Sequence, residues 1–160
     1  METVYLETTI VGHIAGRLHR DPFVAARQQV TRDWWRDDAP RFGLYISQLV
    51  LEECGAGDPT AAAERFDVVE GIDLLESSDE VDALADSLIS GLAIPASEPR
   101  DAFHVAIAAV NGVEYLLTWN FKHIANASLR SRIERICRDA GYEPPIICTP
   151  DELMGTEDGS

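Results

Sequence analysis

Val4-Tyr5-Leu6-Glu7 is a short apolar, β-prone run closed by an acid, and Leu44-Tyr45-Ile46-Ser47 repeats the pattern with a hydroxyl at its end. Both read as buried strands. Similar runs recur at Asp73-Leu74-Leu75, Tyr115-Leu116-Leu117-Thr118 and Pro145-Ile146-Ile147-Cys148, and the segments between them carry helical periodicity. Asp21-Pro22 and Asp58-Pro59 are helix starts with Pro at the first helical position. After the first, Phe23, Ala26, Val30 and Trp34 form one apolar stripe; Val81, Leu84, Leu88 and Leu92 form another, which Pro95 stops. Asp101 to Val110 is apolar nearly all round, as in a buried helix, and a later helix turns Leu129, Ile133, Ile136 and Cys137 inward. Five short strands separated by helical crossovers predict an α/β fold. The expectation is a single domain over residues 1–154, with a mainly parallel, roughly five-stranded sheet covered on both faces, and a disordered tail over 155–160.

A chain of 160 residues, 46% hydrophobic and 26% charged, is long enough to bury a core without disulfides. Cys54, Cys137 and Cys148 include no C-x-x-C pair, which excludes a disulfide framework or thiolate zinc site and points to a reducing cytoplasm. METVYLETTIVG at the amino terminus has no basic segment, and no apolar run approaches the ~18 residues of a membrane span, so a soluble cytoplasmic protein is expected. His13, His19, His104 and His123 show no H-x-x-x-H spacing and no cysteine companion, which argues against zinc. The signatures of P-loop, dinucleotide-binding and serine-hydrolase folds are missing.

In open parallel sheets, ligands bind at the carboxyl ends of the strands, so the polar residues there are the candidates. Glu7 follows the first strand immediately, with Thr8 and Thr9 behind it. Glu53 lies six residues past Ser47 on the helix leaving the second strand, and on pattern alone Glu52 serves as well. Asp101 opens the most buried helix, where it equally suits an N-cap after Pro99. His104, three residues on, shares its face and reads as a hydrogen-bonded support. Asn120 stands two residues past Thr118, a place that also suits a simple turn residue. Three carboxylates in one pocket repel one another, and a hard divalent cation such as Mg2+ or Mn2+ neutralises such a cluster. In phosphodiester cleavage such an ion polarises phosphate, generates hydroxide and stabilises the leaving oxygen.

The segments VYLETTIVG, ISQLVLEE, DAFHVAIAAVNGVEYLLTWNFKHIANA and PPIICTPDEL, in this order and spacing, resemble PIN-domain proteins, in particular the VapC-like toxins of type II toxin–antitoxin pairs. The resemblance covers nearly the whole chain and implies a compact α/β/α sandwich. It also implies a Mg2+- or Mn2+-dependent endoribonuclease site at Glu7, Glu53, Asp101 and Asn120, selecting Glu53 over Glu52. Glu7, Glu53 and Asp101 would hold the ion directly or through water. Asn120 and Thr118 would orient a water or phosphate, with Thr8, Thr9, Ser47 and His104 in support. RNA would be the substrate, a cognate antitoxin would cover the site, and the chain would form a homodimer. Two positions depart from the family pattern, which has aspartate where Glu7 and Asn120 stand. Glu7 adds a methylene but keeps its charge, whereas Asn120 loses the charge, which weakens a second ion or a water held there. A PIN scaffold that binds RNA or protein without cleavage is therefore the alternative, and a Mg2+-dependent phosphohydrolase acting on a small phosphate ester is a further one.

A formal charge of −15 argues at first against a phosphate-bearing partner. Its distribution changes that reading. Residues 52–101 hold 14 acids and 2 bases, while 11 of the 13 basic residues fall in Arg17–Arg41 and Lys122–Arg138. Arg17, Lys122, Arg130 and Arg132 are accordingly expected on an RNA-facing rim.

Overall fold

A computed structural model describes residues 1–124 and 126–155. In chain order the strands are β1 (Thr3–Leu6), β2 (Gly43–Ile46), β3 (Asp73–Leu74), β4 (Tyr115–Leu117) and β5 (Ile146–Cys148). All pair in parallel, in the spatial order β3-β2-β1-β4-β5, which is the expected α/β architecture with every strand within a residue or two of its predicted place. The central pair carries the core: Val4, Tyr5 and Leu6 of β1 and Leu116 and Leu117 of β4 are fully buried. The edge strand β3 is exposed at both of its residues.

Among the described residues seven α-helices connect the strands: α1 (Thr8–Ile14), α2 (Pro22–Asp37), α3 (Gln48–Cys54), α4 (Pro59–Val69), α5 (Asp79–Ser90), α6 (Pro99–Val110) and α7 (Ala127–Asp139). They pack in two groups. Helix α1 lies against α2, α3 and α4, while α5 lies against α6 and α7. Right-handed crossovers place the first group on one face of the sheet and the second on the other, because the chain steps outward from β1 to β3 and then returns to the far side of β1 at β4. That reversal opens a crevice at the carboxyl ends of β1 and β4, the switch point where such sheets bind ligands.

Local sequence explains most helix boundaries. Asp21 and Asp58 cap α2 and α4 by accepting from the amides of Phe23 and Ala61, each ahead of a proline at the first helical position. Two expected stripes need correction. On α2 only Trp34 of the four apolar residues is buried, and Phe23 is 81% exposed. The inward face runs instead through Gln28, Thr31 and Trp34; the first two are hydrogen-bonded, whereas Trp34 Nε1 is buried without a partner among the described residues. Gln28 accepts from the His19 amide and donates to the Arg17 carbonyl, and Thr31 Oγ1 accepts from Trp119 Nε1 at 2.8 Å. The bonds of Gln28 and Thr31 to distant segments thus favour this rotation of α2 over the one its apolar pattern suggests.

Leu92 is the second correction, since α5 ends at Ser90 and Leu92 is 74% exposed with φ of 63°. Helices α6 and α7 place glycine at that left-handed position, Gly112 and Gly141. At the end of α5 glycine stands one residue earlier, where a Cβ on Gly91 would lie 2.6 Å from Ile136 Cδ1 of α7. Close packing of α5 against α7 takes the glycine, and Leu92 adopts the strained conformation.

Gly155, where the expected tail begins, donates its amide to Asp38 Oδ1 at 2.7 Å; the rest of that tail, 156–160, lies outside the described residues. Among the described residues no helix is long and apolar enough to cross a membrane.

Candidate active site

Glu7 is the residue at which β1 becomes α1. Its amide still donates to the Leu117 carbonyl of β4 at 3.1 Å, so the sheet fixes its backbone while its side chain enters the crevice at 5% exposure. Its Oε1 accepts from Thr118 Oγ1 at 2.7 Å and from Thr9 Oγ1. Both hydroxyls are themselves fixed from behind: Thr9 Oγ1 accepts from the Trp119 amide, and Thr118 Oγ1 from the Asn120 amide.

Glu53 reaches the same region from α3. Ser47 caps this helix through the Val50 amide, and its orientation leaves Glu52 exposed while Glu53 turns toward β1. Glu53 Oε1 accepts from Thr8 Oγ1 at 2.6 Å and pairs with His104 Nε2 at 2.7 Å. Burial pushes the Glu53 carboxyl upward, but the hydrogen bonds from His104 and Thr8, with the Arg100 guanidinium, outweigh it and hold the group below its ordinary value.

Asp101 behaves in the opposite way. It is not the N-cap of α6: Glu98 occupies that place without a side-chain cap bond, and Asp101 is the third helical residue, 9% exposed. Its Oδ2 meets His123 Nδ1 at 2.9 Å, and Asn120 Oδ1 accepts from the His123 amide, so His123 links the two side chains. Burial raises the Asp101 carboxyl above its ordinary value, and its polar neighbours Asn120 and His123 only partly offset this.

Glu7, Asn120 and Asp101 are therefore linked in one chain of contacts, Glu7 through Thr118 to Asn120 and Asn120 through His123 to Asp101, while Glu53 is tied through His104 to the helix that carries Asp101. Ser47, buried beneath them, bonds Tyr5. Of the expected rim, Arg17, Lys122 and Arg132 are exposed and Arg130 is half-buried; Arg130 and Arg132 also bond the carbonyls of Ile147 and Leu92 and so tie α7 to its neighbours.

Three participants were not singled out for this site from sequence. Glu98 and His123 join Asp101 in a group whose ligand atoms lie within 4.8 Å of one another, the one such set of three among the described residues, and it could hold a metal ion. It shares only Asp101 with the expected ligands. Glu98 is the N-cap of α6 and His123 lies in the turn after β4, so no helical spacing marks either of them in the sequence. Tyr5, the third, reads in sequence as core alone. Two carboxylates and an imidazole fit a divalent ion, and the nitrogen donor suits Mn2+ better than Mg2+, which prefers oxygen.

Fold and crevice together define an α/β protein with a doubly wound parallel sheet and an acid-bearing site at its switch point. No family model, curated protein or solved structure matches the chain.

Proposed function

We propose that the chain is a divalent-metal-dependent endoribonuclease of the PIN type, the toxin of a toxin–antitoxin pair. The observation that carries this reading is the convergence of Glu7, Glu53, Asp101 and Asn120, from four separate segments, on the carboxyl ends of β1 and β4. Asp101, with Glu98 and His123, would hold Mn2+ or Mg2+, and Glu7 and Glu53 would add negative charge on the facing side. When bound, the ion supplies Lewis acidity toward the phosphodiester and lowers the pKa of water. Thr118 and Asn120 orient a water or a phosphate oxygen. Arg17 and Lys122 meet the phosphate backbone from the rim. In this reading the protein acts in the cytoplasm, as a homodimer, until a cognate antitoxin covers the crevice.

The test is cleavage of structured RNA by the pure protein with Mn2+ or Mg2+, in chelator, and by Asp101→Ala. Cleavage that needs the ion and falls about a hundredfold or more in Asp101→Ala is the expected result. Cleavage that persists in chelator or in the variant overturns the reading, and turnover of a phosphate monoester with none of RNA moves the protein to the phosphohydrolases. The amide at Asn120 and the protein-bound oxygens of Glu7 and Glu53 favour a second reading, an RNA- or protein-binding scaffold without cleavage. An inert wild type that cuts RNA as Asn120→Asp supports that reading.

A further inference from the structure

Behind Glu53 a file of buried polar groups runs into the core: Glu53 Oε1 to His104 Nε2 at 2.7 Å, His104 Nδ1 to Tyr5 OH at 2.6 Å, and Tyr5 OH to Ser47 Oγ at 2.8 Å. Tyr5 and Ser47 are fully buried and His104 is 1% exposed, so no solvent completes their hydrogen bonding. The file can be filled with protons in few ways. Ser47 Oγ already accepts from the Val50 amide, as the cap of α3. If Ser47 donates to Tyr5, Tyr5 donates to His104 Nδ1, and His104 donates through Nε2–H to Glu53, every hydrogen has an acceptor. If instead His104 is doubly protonated, its Nδ1–H points at the Tyr5 oxygen. Tyr5 must then donate to Ser47, and the Ser47 hydrogen is left without an acceptor in the core. A neutral His104 with the proton on Nδ1 sets the bare Nε2 lone pair against a carboxylate.

We infer that Tyr5 is a positioning residue: by donating to Nδ1 it fixes His104 as the neutral Nε2–H tautomer, which pins Glu53 Oε1 and leaves Oε2 turned to the crevice. Oε1 is engaged twice, by His104 and Thr8, while Oε2 receives no hydrogen bond from the described residues. One oxygen is thus reserved for structure and the other for whatever the crevice holds. A tyrosine inside a strand thereby acts on the site through two intermediates, from a fully buried place at the centre of the sheet. The proton arrangement stands on geometry alone; its consequence for catalysis rests on the ribonuclease reading.

Nitrogen-15 NMR of the imidazoles, at one near-neutral pH without added metal, tests the arrangement in the wild-type protein. The expected His104 pattern is a protonated Nε2 and an unprotonated, hydrogen-bonded Nδ1; a proton on Nδ1, alone or together with Nε2, overturns the inference. Tyr5→Phe keeps the ring in the core and removes the donor. In that variant His104 should populate both tautomers, and Mn2+ affinity measured by calorimetry should fall by about threefold, less than on loss of a direct ligand. Unchanged His104 signals together with unchanged Mn2+ affinity would overturn it. RNA cleavage is read in parallel to separate the two ideas. Full cleavage by Tyr5→Phe with unaltered kcat removes the positioning role and leaves the ribonuclease reading standing. A wild type that binds Mn2+ and never cuts RNA, beside a variant with weakened binding, does the reverse.

Discussion

Glu53 and Asp101 flank His104, the first hydrogen-bonded to it and the second one turn before it on α6, and burial works against the ionised form of both. They nevertheless end on opposite sides of their ordinary values, Glu53 lowered and Asp101 raised. The difference lies in what surrounds them. On the β1 and α3 side, hydroxyls and an imidazole that are themselves anchored converge on Glu7 and Glu53, so the protein supplies the stabilisation. On the α6 side, Asp101 shares its space with Glu98, and His123 and Asn120 do not make up the deficit. One half of the crevice is complete by itself, and the other is built to be completed by positive charge.

The largest effect that can break this comparison is on metal binding. In calorimetric titrations with Mn2+, Glu98→Gln and His123→Ala are each expected to weaken binding by about tenfold to a hundredfold, and Glu7→Gln by less. If Glu7→Gln weakens it more than either, the ion belongs to the β1 side and the two halves exchange roles. Next in size are stabilities measured by urea unfolding in chelator. Glu53→Gln exchanges a charged acceptor for an amide and disturbs both of its hydrogen bonds, so a loss of about 2 kcal/mol is expected. Asp101→Asn removes a carboxylate that the fold holds at a cost, so a gain of about 0.5–2 kcal/mol is expected. The same sign for both variants would show that the halves do not differ.

Why the two halves were unequally legible in sequence follows from how each is assembled. Glu7 could be located because it abuts an apolar strand, and a strand end fixes its residue within one position. Glu53 was narrowed to a pair, and only the rotation of α3 against β1, seen in the Thr8 and His104 contacts, separates it from Glu52. The Asp101 side resisted for a different reason. Glu98 precedes the helix and His123 lies in the turn after β4, so their approach depends on how α6 and β4 pack and not on any local period. The same limit explains α2, whose rotation is set by Gln28 and Thr31 bonding to segments distant in sequence. Strand order, too, is a property of packing: the apolar runs predict five strands, and only the pairing of β1 with both β2 and β4 reveals where the crevice opens.

The smallest expected effect is the sharpest, because it separates the two carboxylates by the direction of a slope. Asp101 has a folded pKa above its ordinary 3.8. Its favourable contribution is present below 3.8 and is lost as pH rises through the folded value. Glu53 has a folded pKa below its ordinary 4.5, so its contribution is present above 4.5 and is lost as pH falls through the folded value. Urea unfolding of wild type, Asp101→Asn and Glu53→Gln in chelator, across the acid range, isolates each term by subtraction. The advantage of Asp101→Asn over wild type should shrink as pH falls toward 3.8, and the deficit of Glu53→Gln should hold steady until pH drops below 4.5 and only then close. Each change is bounded by the corresponding variant's difference at neutral pH. An Asp101→Asn advantage that is flat down to pH 3.8 would mean that its origin is not the buried charge, and the contrast between the two sides would reduce to ordinary packing.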